Sequence, residues 1–217
     1  MSQFKASVLF NSVFLICILY ATYLLFLLSI PYIQFIPDIE FLKTKQLIYH
    51  IKIWRFSFYT HVFSSTFIIL SGLVQFNRYM IYKKPKIHKV SGYIYISLLL
   101  LISGPSALVM SLYANGGLPA QISFVLLTLT WIICTAISFY SILKRKIEIH
   151  GNWLLRSYAL TLSAVTLRFY AYLFDVFNVP IRPTETYILL TWISWIPNLI
   201  IAEFMIKKGY IRNLLKV

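Results

Sequence analysis

The stretch AQISFVLLTLTWIICTAISFYSI, residues 120–142, decides the fold of this chain because it contains no charged side chain. A helix needs about 20 consecutive apolar residues to cross the roughly 30 Å hydrocarbon layer of a membrane. This stretch is long enough to do so, and it therefore predicts a transmembrane helix.

Five further segments pass the same test. The composition agrees, since 59% of the residues are hydrophobic and 12% are charged, with a mean hydropathy of +0.77. A soluble domain carries about twice that share of charge. We therefore predict an all-α, polytopic six-transmembrane-helix bundle that forms a single membrane domain over residues 1–217. The predicted helices are at about 8–30, 54–76, 91–113, 120–142, 153–174 and 185–206, with a short interfacial helix around 39–52 and kinks at Gly104-Pro105 and Pro197.

The basic residues predict the orientation. The net charge of +14 is divided among short clusters between apolar runs, which argues against a nucleic-acid partner. Thirteen of the 20 basic residues fall on one predicted side and five on the other. Cytoplasmic loops are enriched in Lys and Arg, so both the N-terminus and the C-terminus are predicted to be cytoplasmic. The thirteen are Lys5, Arg78, Lys83, Lys84, Lys86, Lys89, Lys144, Arg145, Lys146, Lys207, Lys208, Arg212 and Lys216.

Five titratable residues lie in or beside the predicted spans, where charge is costly. His61, Arg168 and Asp175 are predicted near the outer side, with His61 and Arg168 each about 10 Å deep at 1.5 Å per residue. Arg156 and Glu203 are matched near the inner side. Two interpretations remain open: these residues line a functional polar cavity, or they form interhelical hydrogen bonds and ion pairs that hold the bundle together.

His88 and His150 precede the third and fifth predicted helices, which run in the same direction. Their imidazoles are therefore expected at the same cytoplasmic level, as the two axial ligands of a b-type haem would be. Gly92, four residues after His88, would leave room for the macrocycle. A second haem would need another pair of ligands: His61 could supply one, but the fourth helix contains no histidine, which leaves His50 in the outer loop as the substitute. No CxxCH motif for covalent haem is present. The alternative is that both histidines contact lipid phosphates or cap their helices.

The sequence thus supports three functions. The first is electron transfer by a haem protein, with an unidentified redox partner; any enzymatic activity would be that of a membrane oxidoreductase. The second is a small transporter or channel around His61 and Arg168. The third is a structural or assembly factor. No P-loop, GxGxxG, HExxH or GxSxG motif is present.

Two His-led motifs carry a family resemblance. They are HKVSGYIY at residues 88–95 and HGNWLLRSYA at residues 150–159, with Trp131 between them and Thr166-Leu167-Arg168 after them. Over roughly residues 55–175 the chain resembles a family of bacterial multi-pass membrane proteins, domain-of-unknown-function family 2306. In that family Arg often follows each histidine, whereas Lys89 and Gly151 do here. The resemblance implies a bacterial inner (plasma) membrane location and no established activity.

Overall fold

A computed structural model describes the backbone of residues 2–216 and the side chains of residues 15–216. All regular structure in this range is helical, and six helical stretches are long and apolar enough to span a membrane, which confirms the predicted fold class. The spans are Leu15–Gln34, Lys52–Gln75, Pro85–Ser111, Leu118–Leu143, Ile147–Val176 and Pro183–Lys207. The helices are α1 Ser2–Ser29, α2 Lys52–Gln75, α3 Arg78–Lys83, α4 Pro85–Ser97, α5 Gly104–Ser111, α6 Leu118–Leu143, α7 Ile147–Thr161, α8 Ser163–Val176, α9 Pro183–Ile193, α10 Ile196–Lys207 and α11 Tyr210–Leu214.

The third and fifth spans begin six residues earlier than their hydrophobic segments indicate, at Pro85 and Ile147. Backbone hydrogen bonds form outside the hydrocarbon layer as well as inside it. Both helices therefore begin in the more polar interfacial layer, before their apolar segments start. His88 and His150 consequently lie inside helices α4 and α7. The expectation that they precede their helices is wrong.

Three spans are interrupted. A π-helical turn, Leu98–Ser103, precedes Pro105 in the third span, and the sixth span breaks at Ser194–Trp195 before Pro197. Proline has no N–H to donate and clashes with the preceding turn, so the interruptions at the two predicted kinks have a direct cause. The fifth span also breaks, at Leu162, without a proline.

The break in the fifth span lies within a cluster of hydroxyl side chains that bond to backbone carbonyls. Thr161 Oγ1 donates to Ser157 O at 3.1 Å, and Thr166 Oγ1 donates to Ser194 O, across to the sixth span, at 2.5 Å. Such bonds compete with the regular helix ladder and bend helices. They also satisfy carbonyls that an interrupted helix leaves without an N–H donor.

Glycine allows two close approaches between helices. A Cβ at Gly72 would lie 2.5 Å from two ring carbons of Tyr158, and one at Gly104 would lie 2.9 Å from Ile132 Cγ1. Small residues let membrane helices approach closely where apolar surface alone provides no driving force between them. Gly72 therefore brings α2 against α7.

The segment between the first two spans contains the predicted short helix in part, as a 3₁₀ helix at Glu40–Lys45. The side chain of Lys45 is 4% exposed, and its Nζ donates to Tyr113 O at 2.5 Å and to Asn115 Oδ1 at 2.6 Å. This lysine joins the first connection to the third. Burial among neutral partners lowers the pKa of Lys45 to about 8.

The opposite end of the bundle is the basic end, formed by Arg78–Lys89, Lys144–Lys146 and Lys207–Lys216. Tyr82 donates its hydroxyl to Leu215 O at 2.7 Å, and Arg212 pairs with Glu148 at 3.1 Å. The C-terminal segment thus lies against the second connection and the first turn of α7. That this end faces the cytoplasm stays a prediction from the charge distribution.

We expect Gly72→Ala to lower the free energy of unfolding by about 1–3 kcal/mol, the usual cost of overpacking a tight contact. The added methyl would overlap the Tyr158 ring, which the bundle holds in place. Thermal unfolding of the purified protein in detergent measures the change.

The control is the same substitution in a Tyr158→Leu background, in which the nearer overlapping ring is absent and only Tyr95 Cε2, 2.9 Å from the added Cβ, remains. The cost of Gly72→Ala should then fall, giving a measurable coupling energy between the two positions. Equal costs in the two backgrounds would contradict the contact.

The pH dependence of stability tests Lys45. Its pKa is about 8 in the fold and 10.5 in the unfolded chain, so between these pH values the unfolded chain binds more protons. Stability contributed by this group therefore rises with pH across that window. We expect wild-type protein to gain stability from pH 8 to 10 relative to Lys45→Met, measured by thermal unfolding. Lys43→Met, at an exposed position, should follow wild type; parallel curves for wild type and Lys45→Met would refute the assignment.

Candidate functional site

His88 and His150 occupy the same position in two helices, since each is the fourth residue of its helix. Both side chains are half-buried. Seven residues further along each helix, Tyr95 Oη lies 2.6 Å from Ser157 Oγ, so α4 and α7 approach each other on the faces that carry the two histidines.

The ring of His150 is held by Ser138 of α6. Its Nδ1 lies 2.9 Å from the Ser138 carbonyl oxygen, while Ser138 Oγ donates to the His150 carbonyl at 3.0 Å. Because the hydroxyl proton is used in that second bond, Nδ1 carries the ring proton and donates it to the carbonyl. The Nε2 atom then keeps its lone pair. A histidine held this way through Nδ1 has the arrangement typical of metal-ligating imidazoles.

The ring of His88 is different, because its Nδ1 is buried and has no hydrogen-bond partner among the described residues. A buried polar atom without a partner costs about 1–3 kcal/mol. In native proteins such atoms are rare, and each indicates a missing partner or a functional role. Two imidazoles with available nitrogens thus lie near one another at the basic end.

Gly92 does not provide the open space that a haem plane would need. A Cβ at Gly92 would lie 3.1 Å from Gln75 Oε1, so the Gln75 side chain fills the space. Gln75 Nε2 in turn donates to His88 O at 3.2 Å and to Ser91 Oγ at 3.1 Å. The expectation of room beside Gly92 is wrong, because an amide from the second span occupies it. Gln75 instead holds the backbone that carries His88.

A hydrogen-bonded hydroxyl network occupies the centre of the bundle. Tyr95 Oη lies 2.6 Å from Ser157 Oγ and 2.9 Å from Thr161 Oγ1, and its side chain is fully buried. Trp131 Nε1 donates to Thr161 Oγ1 at 2.9 Å, and Thr135 Oγ1 lies 2.6 Å from Ser157 Oγ. The third, fourth and fifth spans are joined through this network.

Sequence reasoning named most of these positions but missed the network. Tyr95 and Ser157 lie inside the two His-led motifs, and Trp131 lies between them. The available signal was the heptad-like spacing of Trp131, Thr135 and Ser138 on α6, which places them on one helix face. The motifs thus combine a histidine level with a buried hydroxyl layer deeper in the bundle.

At the other end of the bundle, His61 binds the π-helical turn of the third span. Its Nδ1 lies 3.0 Å from Ser103 Oγ and 3.2 Å from Ser103 O. This histidine bonds to a backbone carbonyl at an irregular turn. The contact links α2 to the third span. The contact supports the interpretation of His61 as an interhelical hydrogen-bonding group.

Arg168 and Asp175 are not paired. Arg168 Nη1 donates to Ala164 O of its own helix at 2.8 Å, and none of the ion pairs formed by residues 15–216 includes Arg168 or Asp175. Arg168 turns back towards Ala164 and away from Asp175, seven residues further along α8. His61 bonds to Ser103 and not to Arg168.

Arg156 and Glu203 form a bidentate ion pair between the fifth and sixth spans. Arg156 Nε lies 2.5 Å from Glu203 Oε1, and Nη2 lies 3.0 Å from Oε2. The guanidinium also lies over the Trp153 ring, 4.4 Å from its centroid. Bidentate geometry and an aromatic platform are the features that make an Arg–carboxylate pair strong.

A groove of about 720 Å³ lies beside α2, at the end opposite the basic end. His61, Arg168 and Asp175 do not line it; its walls include Tyr49 and Tyr59, with Lys52 and Arg55 beside them. The polar cavity predicted around His61 therefore does not coincide with this groove. No sequence pattern indicated this groove, because its residues come from the first connection and α2 together.

The family model "Predicted membrane protein (DUF2306)" matches residues 58–206, more than half of the chain. The chain belongs to this family. The suspected resemblance is confirmed, and the match includes the spans that carry both histidines and the hydroxyl network. No curated protein and no solved structure matches the chain.

The hydroxyl network can be tested with Tyr95→Phe, which removes one phenol and leaves the ring. We expect a loss of about 1–2 kcal/mol in unfolding free energy, since hydrogen bonds inside membrane bundles contribute in this range. Tyr93→Phe, two residues away and 61% exposed, is the matched control and should unfold like wild type. Equal effects of the two substitutions in thermal unfolding would argue against the network.

Proposed function

We propose that this membrane protein transfers electrons through a b-type haem held by His88 and His150. The observation that supports this is the buried Nδ1 of His88, which has no partner among the described residues and lies near a histidine whose Nε2 is free. Paired imidazoles from two helices of a bundle are a recurrent way of holding haem iron.

The donor set favours haem over a metal ion bound by side chains alone. Structural zinc requires four protein ligands and catalytic zinc three. Within residues 15–216, no group of three or more His, Cys, Asp or Glu side chains is close enough to hold a metal ion. Two imidazoles are by contrast a complete axial set for a haem, whose remaining four ligands belong to the macrocycle.

The chain's own residues would prepare the site. Ser138 fixes the tautomer and orientation of His150, and Gln75 holds the backbone at His88. The Gln75 side chain has to stay clear of the haem plane, or move, because it fills the space beside Gly92. When bound, a haem supplies a one-electron redox centre, and axial ligands with their hydrogen-bonded neighbours set its potential.

The location of this site agrees with its surroundings. Basic side chains cluster at the same end, at Arg78–Lys89 and Lys144–Lys146, and would attract an acidic redox partner. By the charge rule this end faces the cytoplasm, and we infer that the protein resides in the plasma membrane.

The decisive experiment is a reduced-minus-oxidised absorption spectrum of the purified protein, expressed with a haem supply. We expect Soret and alpha bands in the wild type. His88→Ala and His150→Ala should each lose most of the band intensity, because each removes one axial ligand. Size-exclusion profiles and thermal unfolding establish that the variants are folded.

The matched control is His50→Ala, which removes an exposed histidine from the first connection. It should keep the wild-type spectrum. A wild-type protein without haem absorption, or equal band loss in all three variants, would refute the proposal.

A further inference from the structure

The groove beside α2 has a polarity gradient along its length. Lys52 and Arg55 lie at the end where α2 begins, and Phe56 and Phe63 follow further along the same helix. At 1.5 Å per residue, Lys52 and Phe63 are separated by about 16 Å along the axis. The groove is therefore cationic at its rim and aromatic where α2 continues into the membrane.

The aromatic wall is formed by rings from two segments that pack against one another. Phe35, after the first span, lies 4.8 Å from the Tyr59 ring and 6.4 Å from the Phe63 ring, measured between centroids. Tyr59 and Phe63 are themselves stacked at 6.2 Å. The Phe56 side chain is 72% exposed beside them. This wall provides extended contact for an apolar chain.

Among residues 15–216, the two cations at the rim have no carboxylate partner. The ion pairs formed by residues 15–216 are Arg156–Glu203, Arg182–Glu185 and Arg212–Glu148, and none involves Lys52 or Arg55. Arg55 is instead placed over the Tyr49 ring, 5.3 Å from its centroid. The Tyr49 hydroxyl is bonded to that of Tyr59 at 3.2 Å, which keeps this support in position.

The charge distribution also makes this cluster unusual. Lys43, Lys45, Lys52 and Arg55 form a cluster of basic residues away from the basic end. They lie within 13 residues of one another. Positive charge on the non-cytoplasmic side opposes the general bias of membrane proteins. A negatively charged occupant would compensate for it.

We propose that this groove binds one anionic phospholipid, with the headgroup phosphate at Lys52 and Arg55 and an acyl chain along Phe56 and Phe63. Charge complementarity selects the phosphate, and the aromatic wall selects a lipid over a free anion. A zwitterionic lipid would bind more weakly, because its own cation offsets the phosphate charge. The site is separate from the two histidines and does not depend on a haem.

Native mass spectrometry of the full chain, incubated with equal amounts of phosphatidylglycerol and phosphatidylcholine, tests the preference. A basic residue near a lipid surface favours an anionic headgroup by about fivefold. We expect wild type to retain phosphatidylglycerol preferentially, and Lys52→Gln with Arg55→Gln to bring the two lipids close to parity. Lys43→Gln with Arg182→Gln removes the same charge outside the groove and should keep the preference.

A second measurement uses the wild type alone and so does not depend on the folding of variants. Phosphatidylglycerol with a photoactivatable group on its acyl chain should label the peptide containing Phe56 and Phe63. Labelling elsewhere with none here, no lipid preference, or an equal loss in the control variant would overturn the proposal. Displacement of the lipid by millimolar glycerol 3-phosphate would also overturn it, because the site would then belong to a soluble anion.

Discussion

The phenol of Tyr95, bonded to Ser157 and Thr161, is the contact on which the rest of the bundle depends. Inside a membrane, apolar side chains gain little by leaving lipid for protein, so hydrogen bonds and close packing must hold helices together. A fully buried hydroxyl cannot bond to water, so each hydroxyl of the network depends on the other members for its hydrogen bonds. This requirement fixes the third, fourth and fifth spans relative to one another.

The histidine level depends on that arrangement. Tyr95 lies seven residues after His88, and Ser157 lies seven residues after His150. Seven residues are close to two helical turns, so the pair Tyr95–Ser157 and the pair His88–His150 share the same faces of α4 and α7. The bond between the first pair therefore brings the second pair to one level and towards each other.

Hydropathy and charge were enough to predict the six spans, and the prolines were enough to predict two of the three interruptions. Helix ends were less predictable, since α4 and α7 begin in polar sequence that carries no apolar signal. Counting residues along the helices matched Arg156 with Glu203, because the position of a residue along its helix sets its depth in the membrane. The same count matched His61 with Arg168, but the direction of a side chain decides its partner, and these two bond to Ser103 and Ala164 instead. The groove beside α2 was also not predicted, because its walls depend on the path of the first connection.

The three interruptions have a shared consequence. Measured from the basic end, Leu98, Leu162 and Ser194 each lie about 20 Å along their helices at 1.5 Å per residue. Half of the spans thus change course at one depth, and side-chain groups such as His61 and Thr166 bond the carbonyls there. The second and fourth spans run through this depth without a break. The groove is lined by one of them, α2, which carries Lys52 at the rim of the groove and Gln75 beside the backbone of His88. One unbroken helix therefore connects the groove to the histidine level.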